Sequence, residues 1–405
     1  MQIKKFREMV NLLKRQNRFY ATRLKNLPTV KTLEDLTRYP VTLKKELQED
    51  QAKHPPYGTN LTYPLNYYIH YHQTSGTTGK PLKVLDTRES WDWWGKCWKD
   101  VYEAAGVSDN DRIFLAFSFG PFIGFWGAYR GAELLGALSI PGGGQTTEQR
   151  LNMIMETEAT VLVCTPTYAL RLGEVAEELG IDLSSSPIKK TIHAGEPGGS
   201  IPAIRKRIED IWGAECYDHA GLSEVGAHSF SCEVRQGLHI NELEFIAEVI
   251  DPETGEMVEE GEKGELYLTN LGRWGFPVIR YRTGDLVKHS GYDCPCGRRH
   301  LFLAEGIIGR VDDMVTIRGV NVFPSAIESI IREITSAEFR ITAYTRDEMD
   351  ELLIEIEEDG DTIQKLGHEI RNRLGIRADI RKVEKGSLPR FELKAKRFVD
   401  ERVKK

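Results

Sequence analysis

The chain has 405 residues, beyond the roughly 250–300 at which a single hydrophobic core stops growing, so two unequal domains are expected. Forty per cent apolar residues, 28% charged residues and a formal net charge of -7 fit an ordinary globular protein and argue against disorder and against a nucleic-acid surface. No window approaches the ~18–20 apolar residues of a membrane span, the start lacks a signal-like apolar core, and six cysteines do not make a disulfide framework, so a cytoplasmic location is expected.

Residues 1 to about 26 place Phe6, Met9, Val10, Leu13 and Phe19 at near-helical spacing among Lys and Arg, which predicts an amphipathic helix docked on the body. From Tyr68 onward the runs IFLAFSF, TVLVCT and KKTIHAG alternate with helical stretches over 147–157 and 169–179. That alternation predicts an α/β sheet with crossover helices. Two strand-like runs, EFIAEVID and GELYLTN, flank the turn-rich PETGEMVEEGEKG and predict a hairpin subdomain. Beyond Gly309 the chain offers a helix over 325–334, a strand at LLIEIEE, a helix through IQKLGHEIRNRL and a basic tail. The expected fold class is α/β: a large N-terminal domain (1–309) of stacked α/β layers with a β-rich subdomain, and a small C-terminal α+β domain (310–405).

Thr74, Ser75, Gly76, Thr77, Thr78, Gly79 and Lys80 follow a predicted strand, and such a loop can wrap N–H groups and hydroxyls around phosphate oxygens. It is not a Walker A loop, because Pro81 stands where Ser or Thr should follow Gly79-Lys80 and Thr74 takes the place of the first glycine. A plain Ser/Thr/Gly surface loop is the bland alternative.

TSGTTGKP resembles the phosphate loop of the adenylate-forming superfamily of acyl-CoA synthetases, peptide-synthetase adenylation domains and luciferases. Further matches come in the family's order. His193-Ala194-Gly195-Glu196-Pro197-Gly198 resembles the GEPG turn of its phenylacetate-CoA ligase branch, which implies that the backbone of Gly195, Glu196 and Pro197 borders the adenine. Asp218-His219-Ala220-Gly221-Leu222-Ser223-Glu224 is similar to the branch's D-x-Y-G-L-S-E segment, so Asp218 and His219 are expected at the nucleotide. The resemblance also implies that Ser223 contacts the α-phosphate and that Glu224 holds Mg²⁺ on the ATP phosphates. Ala220 stands where many relatives stack a tyrosine on adenine, so that either His219 or Tyr217 compensates or ATP binds more weakly.

Tyr281-Arg282-Thr283-Gly284-Asp285 resembles the segment in which the aspartate takes both ribose hydroxyls. Gly309-Arg310-Val311-Asp312-Asp313 and the following IRGVNVFP resemble the hinge of a mobile lid. By that resemblance Arg310 reaches the ribose or phosphate, Asp312 is the pivot and Gly319 lets the pantetheine thiol pass. Pro389 to Arg397 resembles the motif carrying a catalytic lysine, here Lys394, with Leu393 in place of the usual glycine. The run FSFGPFIGFW puts Phe117, Phe119, Phe122 and Phe125 where the branch builds its aryl site, and plain core is the alternative.

Cys294 and Cys296 form a tight pair, and Cys232 and His239 stand upstream. Three thiolates and one imidazole complete a tetrahedral Zn²⁺ shell without an open position, the signature of a structural metal. Free thiols with a surface His239 are the alternative.

The resemblance covers residues 40 to 402 and implies an ATP- and Mg²⁺-dependent, AMP-forming ligase that activates an aromatic acid such as phenylacetate or benzoate and transfers it to CoA. Its expected partners are the small-molecule acid, ATP and CoA, without nucleic acid or membrane; a homodimer is left open. Two alternatives stand beside it. One keeps adenylation but passes the acid or AMP to a carrier-protein thiol or a deazaflavin cofactor, and the other is a non-catalytic nucleotide-binding module, favoured by Ala220.

Overall fold

The computed structural model describes residues 1–74, 80–318, 320–346, 349–358, 360–391 and 395–402. At its centre lies an eight-stranded sheet in the spatial order Phe302–Leu303, Leu238–Ile240, Gly226–Phe230, Glu215–Leu222, Lys190–His193, Val161–Cys164, Arg112–Leu115, Leu138–Pro141. The last five strands run parallel and the others antiparallel. Val161–Cys164 is buried along its whole length, as a parallel strand covered on both faces should be. The crossover helices include Ile123–Leu135, Thr147–Glu156, Pro166–Glu178 and Pro202–Trp212, so the expected βα alternation is present.

Phe245–Ile250 and Lys263–Asn270 form the predicted hairpin, in register from Phe245↔Asn270 to Ile250↔Glu265. Tyr281–Lys288 and then Gly309–Arg310 extend it to a four-stranded antiparallel sheet. A separate two-stranded sheet pairs Tyr68–Gln73 with Lys83–Thr87. The Ser/Thr/Gly run is the connection between those two strands.

The N-terminal helix is not continuous. It divides into Gln2–Gln16 and Arg18–Leu24 at Asn17, whose backbone is extended and whose side chain accepts the N–H of Tyr20 as an N-cap. Asn17 Nδ2 also donates to Asn60 Oδ1 and Thr62 Oγ1, so a buried polar side chain outweighs helical continuity. Phe6, Met9, Val10 and Leu13 pack with Tyr39, Ile246, Leu271 and Ile279, docking the helix on the body as expected. Among the described residues no helix is long and apolar enough to cross a membrane.

Beyond residue 310 a four-stranded sheet runs Asp379–Lys382, Met349–Ile356, Phe339–Arg346, Phe398–Asp400, accompanied by helices Pro324–Ile334 and Asp361–Leu374. Ile327, Ile331, Ile341, Ile354, Leu366 and Ile370 make a hydrophobic core of their own, separate from the large one. The two bodies meet where helix Pro324–Ile334 lies against Pro202–Trp212 and where the segment after residue 394 reaches the large lobe.

Candidate active site

Ligands of open α/β sheets bind outside the carboxyl ends of the parallel strands, because loops and helix N-termini converge there. That is where the motifs fall. Arg112–Leu115 runs out into the Phe117 segment, Lys190–His193 into the Gly195-Glu196-Pro197 turn, and Glu215–Leu222 into Ser223 and Glu224. Gly195 has φ +98°, a left-handed backbone that glycine takes without steric cost.

Thr74 closes the base of the Ser/Thr/Gly connection. Its N–H donates to the carbonyl of Leu82, and its hydroxyl accepts the N–H of Leu82. This hydroxyl thus braces the loop's own backbone as an acceptor, with its O–H still able to donate. Lys80, at the other end, is exposed and its carbonyl accepts from Gln48. Ser75, Gly76, Thr77, Thr78, Gly79, Gly319 and Lys394 lie outside the described residues, as does the side chain of Asp312, whose backbone forms the short turn Val311–Asp313.

Glu224 is almost fully buried, and Lys44 Nζ stands 2.8 Å from its Oε1. Tyr281 interacts with Glu224 through its hydroxyl, and the fields of Arg310 and Asp285 reach the same ring. Burial is the largest cause pushing that phenol well above its ordinary range. Asp285 is paired in register with Arg310, whose Nη1 lies 3.2 Å from Asp285 Oδ1. So the structure brings Glu224, Asp285 and Arg310 together across two sheets. Lys44 was missed in sequence because it reads as one lysine in the charged start of helix Lys44–Lys53.

Asp218 and His219 take up different duties. Asp218 Oδ2 accepts both the N–H and the hydroxyl of Ser200, fixing the loop after the Gly195-Glu196-Pro197 turn. Burial raises its carboxyl to about 6, against those same donors. The His219 ring turns inward, 4.2 Å from Trp98 between centroids, with Nδ1 2.6 Å from the carbonyl of Ser229. In this position it packs against the core, and Tyr217 is buried as well. Ala220 and Ser223 stay partly open beside the turn.

A buried guanidinium ties two of these segments. Arg273 Nε and Nη2 donate to the two oxygens of Asp86, each at 2.7 Å, and Nη1 donates to the carbonyl of Ser223 at 2.6 Å. Both side chains of the pair are fully buried, and the guanidinium lies over the rings of Trp94 and Phe276.

The aromatic segment splits. Phe117 is buried and stacks on Phe125, whereas Phe119 is half-buried with Trp126 and Tyr129 edge-on to it. Phe122 is exposed at the start of helix Ile123–Leu135. Gly143 abuts Phe119 so closely that a Cβ there would lie 2.6 Å from the ring.

Cys232, His239, Cys294 and Cys296 come together with their ligand atoms all within 4.8 Å of one another. The Sγ atoms of Cys232 and Cys294 are 3.8 Å apart, and Cys296 Sγ is 3.5 Å from His239 Nε2. A tetrahedral zinc with Zn–S near 2.3 Å and Zn–N near 2.0–2.1 Å spaces two sulfurs by about 3.8 Å and sulfur from nitrogen by about 3.5 Å. The donor set fits zinc.

A parallel-sheet lobe with Asp285 and Arg310 paired near the buried Glu224, met by a small separate lobe, is the architecture that this chain shares with adenylate-forming enzymes. The model of the AMP-binding enzyme family matches residues 21–272, and that of the AMP-binding enzyme C-terminal domain matches residues 319–402. The chain belongs to the AMP-binding enzyme family, in its phenylacetate-CoA ligase branch, and is an AMP-forming acid–thiol ligase. It is 36% identical to the phenylacetate-coenzyme A ligase of Escherichia coli K12 over 385 residues, 91% of this chain and 86% of that one. The crystal structure of a 2-hydroxyisobutyryl-CoA ligase in its postadenylation state matches with a TM-score of 0.93 at 29% identity, covering 99% of this chain and 89% of that one. The same ligase in its thioesterification state gives 0.75 at 30% identity and the same coverage.

Proposed function

We propose that this protein joins an aryl-type carboxylic acid to CoA through an acyl-adenylate held between the two lobes. The observation that carries the residue assignment is the convergence of Glu224, Asp285 and Arg310 around Tyr281 at the carboxyl end of the sheet. Asp285 offers two acceptor oxygens to the ribose hydroxyls, Arg310 beside it faces ribose or phosphate, and Ser223 faces the α-phosphate. Glu224 is the hard oxygen ligand Mg²⁺ prefers, and the ammonium beside it marks the carboxylate as a place for a cation. Magnesium, when bound, supplies positive charge next to the phosphates.

In the first step an oxygen of the acid attacks the α-phosphorus and the bond to the bridging oxygen breaks, releasing pyrophosphate. Lys394 steadies the negative charge that gathers on the reacting oxygens. In the second step the CoA sulfur attacks the acyl carbon, the carbon–oxygen bond to phosphate breaks, AMP leaves and the thiol proton passes to solvent. The small lobe turns about Asp312 between the steps, and Gly319 then borders the pantetheine path. Asp312→Pro should keep adenylation and lose thioester formation; equal loss of both would reject that pivot.

For the acid, the half-buried Phe119 framed by Trp126 and Tyr129 offers ring edges and faces suited to an aromatic guest. The name of the enzyme from Escherichia coli, a phenylacetate-coenzyme A ligase, supports the same choice. A second reading, a small branched hydroxy acid, is favoured by the 2-hydroxyisobutyryl-CoA ligase likeness. AMP formation measured over phenylacetate, benzoate, 2-hydroxyisobutyrate and a fatty acid decides between them. Phenylacetate or benzoate should give at least tenfold higher kcat/KM than the hydroxy acid, and the reverse order would reject the aryl reading. Without CoA, pyrophosphate release should stop after one equivalent, with the adenylate held on the enzyme and no AMP set free; continued turnover would point to another acceptor.

Zinc on Cys232, His239, Cys294 and Cys296 has a structural role in this proposal. Bound by these four residues, it would tie the loop around 294–296 to the edge of the central sheet, with all four ligands supplied by the protein.

A further inference from the structure

Glu196 was expected to matter through its backbone, yet its side chain makes the more telling contacts. Oε1 accepts the N–H of Thr167 at 3.0 Å, in the first turn of helix Pro166–Glu178, and Oε2 accepts the N–H of Ala395 at 2.8 Å. One carboxylate on the large lobe thus holds the backbone of the small one. Ala395 is the residue that follows Lys394 in the sequence, and its N–H is the group that the carboxylate holds.

A second contact falls on the same helix turn. Arg397 Nη1 donates to Thr167 Oγ1 at 3.3 Å and to Glu328 Oε1 of its own lobe at 3.1 Å. Arg397 also pairs with Glu338 and lies over Phe339 and Phe391, so the segment is rigidly seated on the small lobe. Thr167, Glu196, Ala395 and Arg397 therefore form one clasp across the lobe boundary, two residues from each side. The lobes are arranged as in the neighbour's postadenylation state, which matches far better than its thioesterification state.

We propose that Glu196 is a positioning residue that docks the small-lobe segment beginning at Ala395 on the large lobe for acid activation and lets it go before thioester formation. The proposal rests on the two-step ligase reading above. A carboxylate suits the task because both of its oxygens can accept, so it can hold a helix turn and a passing strand together. A glutamine cannot do so without turning an NH₂ group against one of the two amides. The interaction is also reversible, since the Ala395 amide meets water once the lobe turns.

The test separates the half-reactions in Glu196→Gln and Glu196→Ala. Acid-dependent pyrophosphate release should fall at least tenfold in kcat with the KM for ATP changed less than threefold. Thiolysis of acyl-adenylate supplied ready-made, with CoA, should stay within twofold of wild type, which also shows that the variants are folded. Equal loss of both half-reactions, or undiminished pyrophosphate release, would overturn the proposal. Hydrogen exchange at the Ala395 amide of wild-type protein gives a readout that needs neither variant nor substrate: it should be at least tenfold slower than in an unstructured peptide, and free exchange overturns the proposal by itself. A wild-type enzyme that exchanges slowly at Ala395 yet forms no AMP with any acid would instead reject the ligase reading.

Discussion

Lys44 Nζ lies 2.8 Å from Glu224 Oε1, an ammonium at the rim of the cleft against a carboxylate whose side chain is only 4% exposed. A cation arriving with ATP must share or displace that ammonium. The Lys44 side chain is 42% exposed, so the pair is worth at most about 1 kcal/mol.

Lys44→Met should therefore lower the magnesium concentration for half-maximal rate by about two- to fivefold, the range of such a pair. The rate at saturating magnesium should hardly change. Titrating magnesium at fixed ATP checks this, and an unchanged midpoint rejects competition between lysine and metal. Glu224→Gln is the opposite case and should cost on the order of 10²–10³ in adenylation rate, as losses of a preorganised charge in an active site do.

Asp285 is the ribose acceptor in the proposed site. A hydrogen bond to a charged group is worth about 1.5–3 kcal/mol, so with two such bonds lost Asp285→Ala should raise the KM for ATP by about 100-fold or more. The KM for the acid, which approaches from the other side of the α-phosphate, should move little. Steady-state kinetics with each substrate varied in turn distinguishes the two.

Protein purified without chelator should carry about one equivalent of zinc, since a full set of four protein ligands leaves none to be supplied by solvent. Replacing Cys294 with Ser should empty the site and lower Tm by several degrees, with kcat per folded molecule preserved. Metal analysis beside thermal unfolding reads both; less than a tenth of an equivalent in the wild type rejects the site.

Acid should unfold this protein early. Burial holds His193 and His219 near 4 and His228 near 3, all below the ordinary histidine value of 6.5. Each folded value is depressed, so between pH 6.5 and 4 the unfolded chain binds more protons and stability falls as pH falls. At pH 5 each contributes a loss of about 2 kcal/mol relative to neutral pH. Asp218, raised to about 6, works the other way over the window from 3.8 to 6 and offsets less than one of them. The urea midpoint at pH 5 should lie well below that at pH 7, and equal midpoints would contradict the burial of these rings.

Much of the architecture was legible because strand periodicity and motif order are local. The alternating runs, the hairpin at Phe245–Ile250 and Lys263–Asn270 and the helix Asp361–Leu374 needed no distant partner to be read. Asn17 shows where local reading ends: its helix break depends on Asn60 and Thr62, residues remote in sequence. The site divides in the same way. A motif names which polar residues gather at a cleft but not which way each points, so Thr74, Asp218 and His219 serve backbone or core, while Glu196 faces the other lobe. Lys44 carries no local signal, since its meaning comes from Glu224 far along the chain.

The planar fork of Arg273 grips Asp86, on the strand leaving the Ser/Thr/Gly connection, and the Ser223 carbonyl, one residue before Glu224. It is thus a common datum for two pieces of machinery that must face the same triphosphate. A drift in one is transmitted to the other, so their separation is set when the protein folds and need not be rebuilt at each turnover. In the proposed two-step cycle, where the smaller half would travel, this measurement is kept in the half that stays still.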